Sequence, residues 1–198
     1  MVQITAAVVR ELRDKTGAGM MDCKKALSAS EGDLDKAVDF LRTKGLSAAA
    51  KKAGRATDEG LVFSYIHPGG RVGVLLEINC ESDFVARTDE FQDLCKDLSM
   101  HIAAVAPTSV RRDEFDAALL EHEKEIFKAQ AIESGKPAEI AEKMVAGRIE
   151  KLYKEQVLME QPFVKDPSMT IEDRLKTAIS KLGENMSVRR FTRYELGS

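Results

Sequence analysis

Between Arg71 and Arg87 the hydrophobic pattern changes character within a few residues. Val72, Val74, Leu76, Ile78 and Cys80 recur at every second position, with Gly73, Leu75, Glu77 and Asn79 between them, which is the alternation of a strand with one apolar face. It stops at Glu81-Ser82-Asp83, where Ser82 or Asp83 can accept a hydrogen bond from the amide of Val85 or Ala86 and start a helical turn. Phe84 falls in that first turn. Single aromatics near element ends usually pack inward, so the local pattern alone favours Phe84 and Val85 folding back into the core. The competing reading is an aromatic held next to a surface.

The flanking pattern predicts a small sheet with helices. Leu61, Phe63 and Tyr65 alternate with Val62, Ser64 and Ile66, and Pro68-Gly69-Gly70 then supplies a turn, so the two strands form an antiparallel hairpin. After the Phe84 turn, Thr88 can cap a helix in which Phe91, Leu94, Cys95, Leu98, Ile102 and Val105 recur at spacings of three and four until Pro107, enough to cover one face of the sheet. Upstream, Ile4, Val8, Val9 and Leu12 define a helix capped by Thr5 and stopped at Gly17 or Gly19. A second helix carrying Ala26 and Leu27 starts at Asp22. A third starts at Asp33 with Leu34, Ala37, Val38 and Leu41 and closes near Gly45, with Leu46 to Asp58 prolonging it into a linker.

Downstream, Asp113 to Glu133 and Pro137 to about Val157 read as an antiparallel helical hairpin, separated by Ser134-Gly135-Lys136-Pro137, a helix stop followed by a proline start. Thr170 and Asp173 form a capping-box-like pair before Ile171, Leu175, Ile179 and Leu182. Val188 to Leu196 is the final strand, with neither face cleanly apolar, as suits an edge or an interface. The expected fold class is α+β: a three-helix bundle over residues 1–53, then a core of a small antiparallel sheet packed with helices over residues 54–198.

Length and composition narrow the chemistry. The chain has 198 residues, 43% hydrophobic and 32% charged, with a formal net charge of −3, ordinary for a globular protein of one or two domains. No global field recruits nucleic acid, and Lys51, Lys52 and Arg55 lack the interleaved aromatics of an RNA site. No apolar run approaches the roughly 20 residues of a membrane span, so a cytoplasmic protein is expected. Cys23, Cys80 and Cys95 are odd in number and widely spaced, and His67, His101 and His122 fall on three different elements, so buried structural thiols are expected rather than a metal site. No cofactor motif, phosphate loop or carboxylate pair stands out: Thr16-Gly17-Ala18-Gly19 lacks the lysine-serine spacing and follows a helix rather than a strand. A thiol site from Cys80 and His67 on neighbouring strands is the weakest alternative. No catalytic residue is assigned.

The stretch Ile78-Asn79-Cys80-Glu81-Ser82-Asp83-Phe84-Val85-Ala86 resembles the signature of bacterial translation elongation factor Ts, in which a strand ending Asn-Cys is followed by a Thr-Asp-Phe-Val turn. Ser82 stands where Thr is usual and keeps the capping hydroxyl. Leu12-Arg13 followed by Thr16 to Leu27, Lys136 to Arg148, Gln161-Pro162-Phe163-Val164 and the closing VRRFTRYEL resemble further stretches of the family. Longer members carry a second core module, a protruding coiled coil and a C-terminal tail, so the chain resembles the short, single-core form, and its first bundle is similar to a ubiquitin-associated (UBA) domain.

The resemblance implies guanine-nucleotide exchange on the GTPase elongation factor Tu, with no chemistry of the chain's own. Phe84 would insert between helices of the GTPase domain near its Mg²⁺, with Ser82, Asp83 and Val85 forming the turn that carries it and contacts the partner. Met20, Met21 and Lys24, in the loop and helix after Gly19, would grip the same domain. By the residues alone the methionines are as well explained as core plugs, with one of the two exposed. A homodimer is also expected, because one helix covers only one face of so small a sheet and Phe63, Leu75, Phe191 or their alternates would be left uncovered. Folding of the 113–157 helices over that face is the competing explanation. A UBA-type adaptor binding helices or RNA is the alternative function.

Overall fold

A computed structural model of the chain describes residues 4–133, 135 and 137–197. In chain order the elements are α1 Ala6–Thr16, α2 Met20–Ala29, α3 Leu34–Ala50, β1 Glu59–Ile66, β2 Val72–Cys80, α4 Asp83–Ala86 and α5 Asp89–Val105. There follow α6 Ala117–Glu133, α7 Ala138–Gln156, β3 Pro162–Phe163, β4 Asp166–Thr170, α8 Ile171–Leu182 and β5 Met186–Glu195. The protein is α+β, with a three-stranded sheet of order β1-β2-β5 and a separate β3-β4 ribbon. By packing it divides into two compact units, one of residues 1–61, 78–94 and 173–187 and the other of residues 62–77, 95–172 and 188–198.

In the first unit, α1, α2 and α3 pack pairwise. Thr5 caps α1 by accepting the Val8 amide, Asp33 caps α3 by accepting the Lys36 amide at 3.0 Å, and Gly17 closes α1 at φ 66°, a left-handed conformation that glycine adopts without a Cβ penalty. Their apolar stripes converge on Val9, Leu12, Cys23, Ala26, Leu27 and Ala37, flanked by Ile4, Val8, Ala18, Leu34, Val38 and Leu41, so the bundle has a core made from its own residues. Two details depart from the pattern-based reading. Helix α2 opens at Met20 with Gly19 before it, and Asp22 lies in its first turn with its carboxylate 2.5 Å from the Lys44 ammonium. The bundle also touches α8: Arg42 pairs with Asp173 at 2.8 Å, and the Lys181 stem lies against Gly17. The compact unit that holds the bundle also holds residues 173–187.

In the second unit the β1-β2 hairpin closes with the His67 amide donating to the Val72 carbonyl and the Gly70 amide to the His67 carbonyl, both at 2.9 Å. The Ile66 side chain sits where a Cβ on Gly73 would meet it at 3.0 Å. Val62, Ser64 and Ile66 therefore share a face with Gly73, Leu75 and Glu77, while Phe63 and Tyr65 share the opposite face with Val74 and Leu76. Val74 and Leu76 are buried. On β5, Arg190 pairs with Glu77 at 2.7 Å and so belongs to the outer face, whereas the Arg193 guanidinium reaches the Ala103 carbonyl of α5 at 3.2 Å. Met186 and Val188 are buried, Arg189 and Arg190 are both exposed, and the alternation resumes with Phe191 and Arg193 partly covered, a one-residue shift in the exposure pattern.

The three residues expected together at a dimer surface fall on different faces of the sheet. Phe63 and Phe191 lie half-buried on the covered face, and of the three residues named for the interface only Leu75, 48% exposed, lies on the open one. Its neighbours there are Val62, Ile66 and Tyr194, at 64%, 66% and 71% exposure. The 113–157 helices do not fold over them.

Helices α6 and α7 pack on each other as the expected hairpin, but α6 begins at Ala117 rather than Asp113. Phe115 is buried, and Asp116 Oδ1 accepts the amides of Ala118 and Leu119 at 2.8 and 3.1 Å, so the cap lies three residues later and Asp113 sits in a preceding 3₁₀ turn. Ser134 and Lys136 of the expected connection lie outside the described residues. Arg112 forks onto Glu150 at 2.9 and 2.8 Å, also bonds Glu160, and stacks 4.4 Å above the Tyr153 ring. The β3-β4 ribbon was not legible in the pattern, because two-residue β3 is too short to alternate.

Candidate functional site

The turn after β2 is built by its own side chains and then held from outside. Ser82 has extended backbone, φ −134° and ψ 153°, and its hydroxyl accepts the Val85 amide at 3.4 Å, so Ser82 caps α4. The Thr88 hydroxyl donates to the Val85 carbonyl at 2.7 Å and accepts the Phe91 amide at 3.3 Å, which ends α4 and begins α5. Ala86 is buried beneath. Asp83 Oδ2 accepts from Arg87 at 2.7 Å across one helical turn. Phe84, at the outer tip, is 78% exposed, the most exposed large hydrophobic side chain among the described residues. The inward-packing reading is therefore wrong here: four residues of helix with Ala86 facing in leave Phe84 on the opposite side.

Two carboxylates fix the turn from below. Glu184 lies just past α8, where Gly183 at φ 82° reverses the chain. Its Oε2 accepts the Ser82 amide at 3.0 Å and its Oε1 the Ser82 hydroxyl at 2.6 Å. Glu81 Oε1 accepts the Asn185 amide at 2.6 Å and lies 3.4 Å from Arg55 Nη1, while Asn185 Nδ2 donates to the Arg55 carbonyl at 2.8 Å. The Cys80 thiol donates to the Ser82 carbonyl at 3.1 Å. Burial, with the Glu184 charge adding to it, pushes that thiol's pKa up, which keeps it protonated and able to donate. Glu184 and Asn185 escaped the sequence reading, and Arg55 was weighed there only as part of a basic patch; the only trace was a polar Glu-Asn pair between the glycine that stops α8 and the strand.

Met20, Met21 and Lys24 lie on α2, in the same compact unit as the Phe84 turn. Both methionines face solvent, at 41% and 66% exposure, and Met21 and Lys24 line a shallow depression with Lys25 and Ser28. Phe63, Leu75 and Phe191 belong to the other unit. Among the described residues, no group of three or more His, Cys, Asp or Glu side chains is placed to hold a metal ion, and no helix is long and apolar enough to cross a membrane.

Fold and site define an α+β protein that presents one aromatic on a doubly anchored turn and, in the same compact unit, an exposed Met-Lys surface. The family model described as Elongation factor TS matches residues 48–198. Over 196 residues, 99% of the chain, it is 62% identical to elongation factor Ts of Geobacter sulfurreducens and 61% identical to that of Alkaliphilus oremlandii, covering 91% and 90% of those proteins. It is 59% identical to elongation factor Ts of Desulforamulus reducens over 197 residues, 91% of that protein. The chain belongs to the elongation factor Ts family. The sequence resemblance named the family that these relatives identify, and family membership implies guanine-nucleotide exchange on elongation factor Tu in translation.

Proposed function

We propose that the chain releases GDP from elongation factor Tu by inserting Phe84 beside the GTPase's Mg²⁺ and nucleotide. The observation that carries this is a large aromatic, 78% exposed, on a turn whose backbone is tied down at both ends. Mg²⁺ demands near-ideal octahedral oxygen geometry, so a small displacement of the elements around it loosens the nucleotide. A mobile aromatic would bend instead of displacing them; a capped, carboxylate-anchored one transmits the interface energy. Asp83, Ser82 and Val85 support and flank the wedge. Met20, Met21 and Lys24 add grip from the UBA-like bundle, with methionine suited to an irregular partner surface. The chain performs no bond-making or bond-breaking itself, acts in the cytoplasm, and needs no cofactor.

The same chain pairs with a second copy through the open sheet face. Val62, Ile66, Leu75 and Tyr194 are exposed apolar side chains on that face, which an isologous two-fold contact would bury. The test of exchange is release of fluorescent GDP from elongation factor Tu with and without the chain. Acceleration supports the reading; binding without acceleration would instead fit a UBA-type adaptor.

A further inference from the structure

The exchange reading needs the Phe84 turn to be held, and leaves open what sets its direction; Glu184 bonds both the amide and the hydroxyl of Ser82 at the start of that turn. We infer that Glu184 is a positioning residue that sets the direction in which Phe84 is presented. The inference rests on the exchange reading and adds to it a residue distant in sequence, on the connection between α8 and β5.

Hydrogen-bond capacity limits what Ser82 can do. A serine hydroxyl has one proton and two lone pairs. In Ser82 the proton goes to Glu184 Oε1 at 2.6 Å, which leaves a lone pair for the Val85 amide at 3.4 Å. Glu184 thus makes Ser82 an acceptor at the position where α4 needs one. Its second oxygen takes the Ser82 amide at 3.0 Å, so the carboxylate grips one residue through both backbone and side chain. Such a two-point grip fixes rotation as well as position, and its bonds are charge-assisted. Ser82 is two residues from Phe84, and the intervening Asp83 is already helical, so any rotation at Ser82 is carried rigidly to the aromatic ring. The Glu81–Asn185 bond at 2.6 Å, between the two residues adjoining this pair, ties the same two segments again. It keeps the connection in register, so that removing the Glu184 grip frees the turn without detaching it.

Glu184 is part-covered, and its role as a fold support is the competing explanation. The two differ in kinetics. A merely destabilised factor has a smaller active fraction, which raises the concentration needed for half-maximal stimulation and leaves the saturated release rate alone. A misdirected wedge lowers the saturated rate itself, because the interaction lost belongs to the step that expels nucleotide.

The experiment measures labelled-GDP release from elongation factor Tu over a concentration series of the full-length chain, for the natural sequence, Glu184→Gln, Glu184→Ala, Phe84→Ala and Phe84→Ala with Glu184→Gln. Glu184→Gln keeps shape and volume, so it serves if Glu184→Ala folds poorly. The expected result is a fall in saturated rate of about tenfold for Glu184→Gln, the size of one charge-assisted hydrogen bond. The double variant should be no slower than Phe84→Ala alone, since a misdirected wedge matters only while the wedge exists. An unchanged saturated rate in Glu184→Gln, or losses that multiply in the double variant, would overturn the inference while leaving the exchange reading in place. An unchanged rate in Phe84→Ala would overturn both.

Discussion

Replacing Phe84 by alanine separates a wedge from a core residue by magnitude. Truncating a buried Phe costs about 3–5 kcal/mol of stability. Phe84 is 78% exposed, and scaling by the covered fifth leaves about 1 kcal/mol or less. In a domain of this size that lowers the melting temperature by only about 2–4 °C. Against a partner the ring has more to lose. A buried aromatic covers about 150–250 Å², most of it still available here, and aromatic anchors in interfaces contribute about 2 kcal/mol or more. If that energy is spent on expelling GDP, stimulated release falls by about thirtyfold or more, at tenfold per 1.36 kcal/mol. The assay is stopped-flow release of labelled GDP from elongation factor Tu at saturating factor, paired with thermal melting of the variant alone. A melting temperature lowered by 10 °C or more, roughly what the cost of a core Phe would produce, with release unaffected, would refute the reasoning.

Met20→Asp with Lys24→Ala should weaken binding to elongation factor Tu about tenfold by titration calorimetry with unchanged melting, since both side chains face solvent; equal affinity would remove the bundle from the interface. Because the bundle's core is its own, deleting residues 1–53 should leave residues 54–198 melting cooperatively, and loss of that transition would show that the contacts to α8 are essential. Leu75→Asp should convert a dimeric mass into a monomeric one by light scattering at micromolar concentration, whereas Phe191→Asp, on the covered face, should cost stability instead; a natural chain already monomeric there would exclude the sheet-face dimer. Buried His101 donates Nε2–H to Gln161 at 2.9 Å and accepts the Val164 amide on Nδ1 at 3.2 Å, and burial lowers its pKa. The unfolded chain therefore takes up the proton first, so this stability is complete above about pH 6.5 and is lost as pH falls below it. A His101→Gln variant should show a shallower loss of melting temperature between about pH 7 and pH 5 than the natural chain, and equal slopes would refute the assignment.

What the sequence disclosed and what it hid follow physical lines. The hairpin, the Ser82 and Thr88 caps and the α5 stripe were legible because each depends on residues a few positions apart. The exposure of Phe84 was implied by the family resemblance and not by the residue pattern, because a four-residue helix has no periodicity to show which side faces in; burial of Ala86 decides it. The division of the sheet faces was not legible, because hairpin register puts Phe63 and Leu75 on opposite faces and the exposure pattern of β5 shifts by one residue at Arg189–Arg190. The grip of Glu184 on Ser82 spans 102 positions, a distance at which pattern carries no information and only the fold brings partners together.

If Phe84 expels nucleotide, this chain and GDP compete energetically for elongation factor Tu, and linkage makes that competition measurable from both sides. The affinity of the chain for elongation factor Tu is measured with the GTPase nucleotide-free and again saturated with GDP, and the affinity of GDP is measured with and without the chain. GDP should weaken the chain's binding, and the chain should weaken GDP binding by the same factor. Affinity for elongation factor Tu that is indifferent to GDP would contradict this competition.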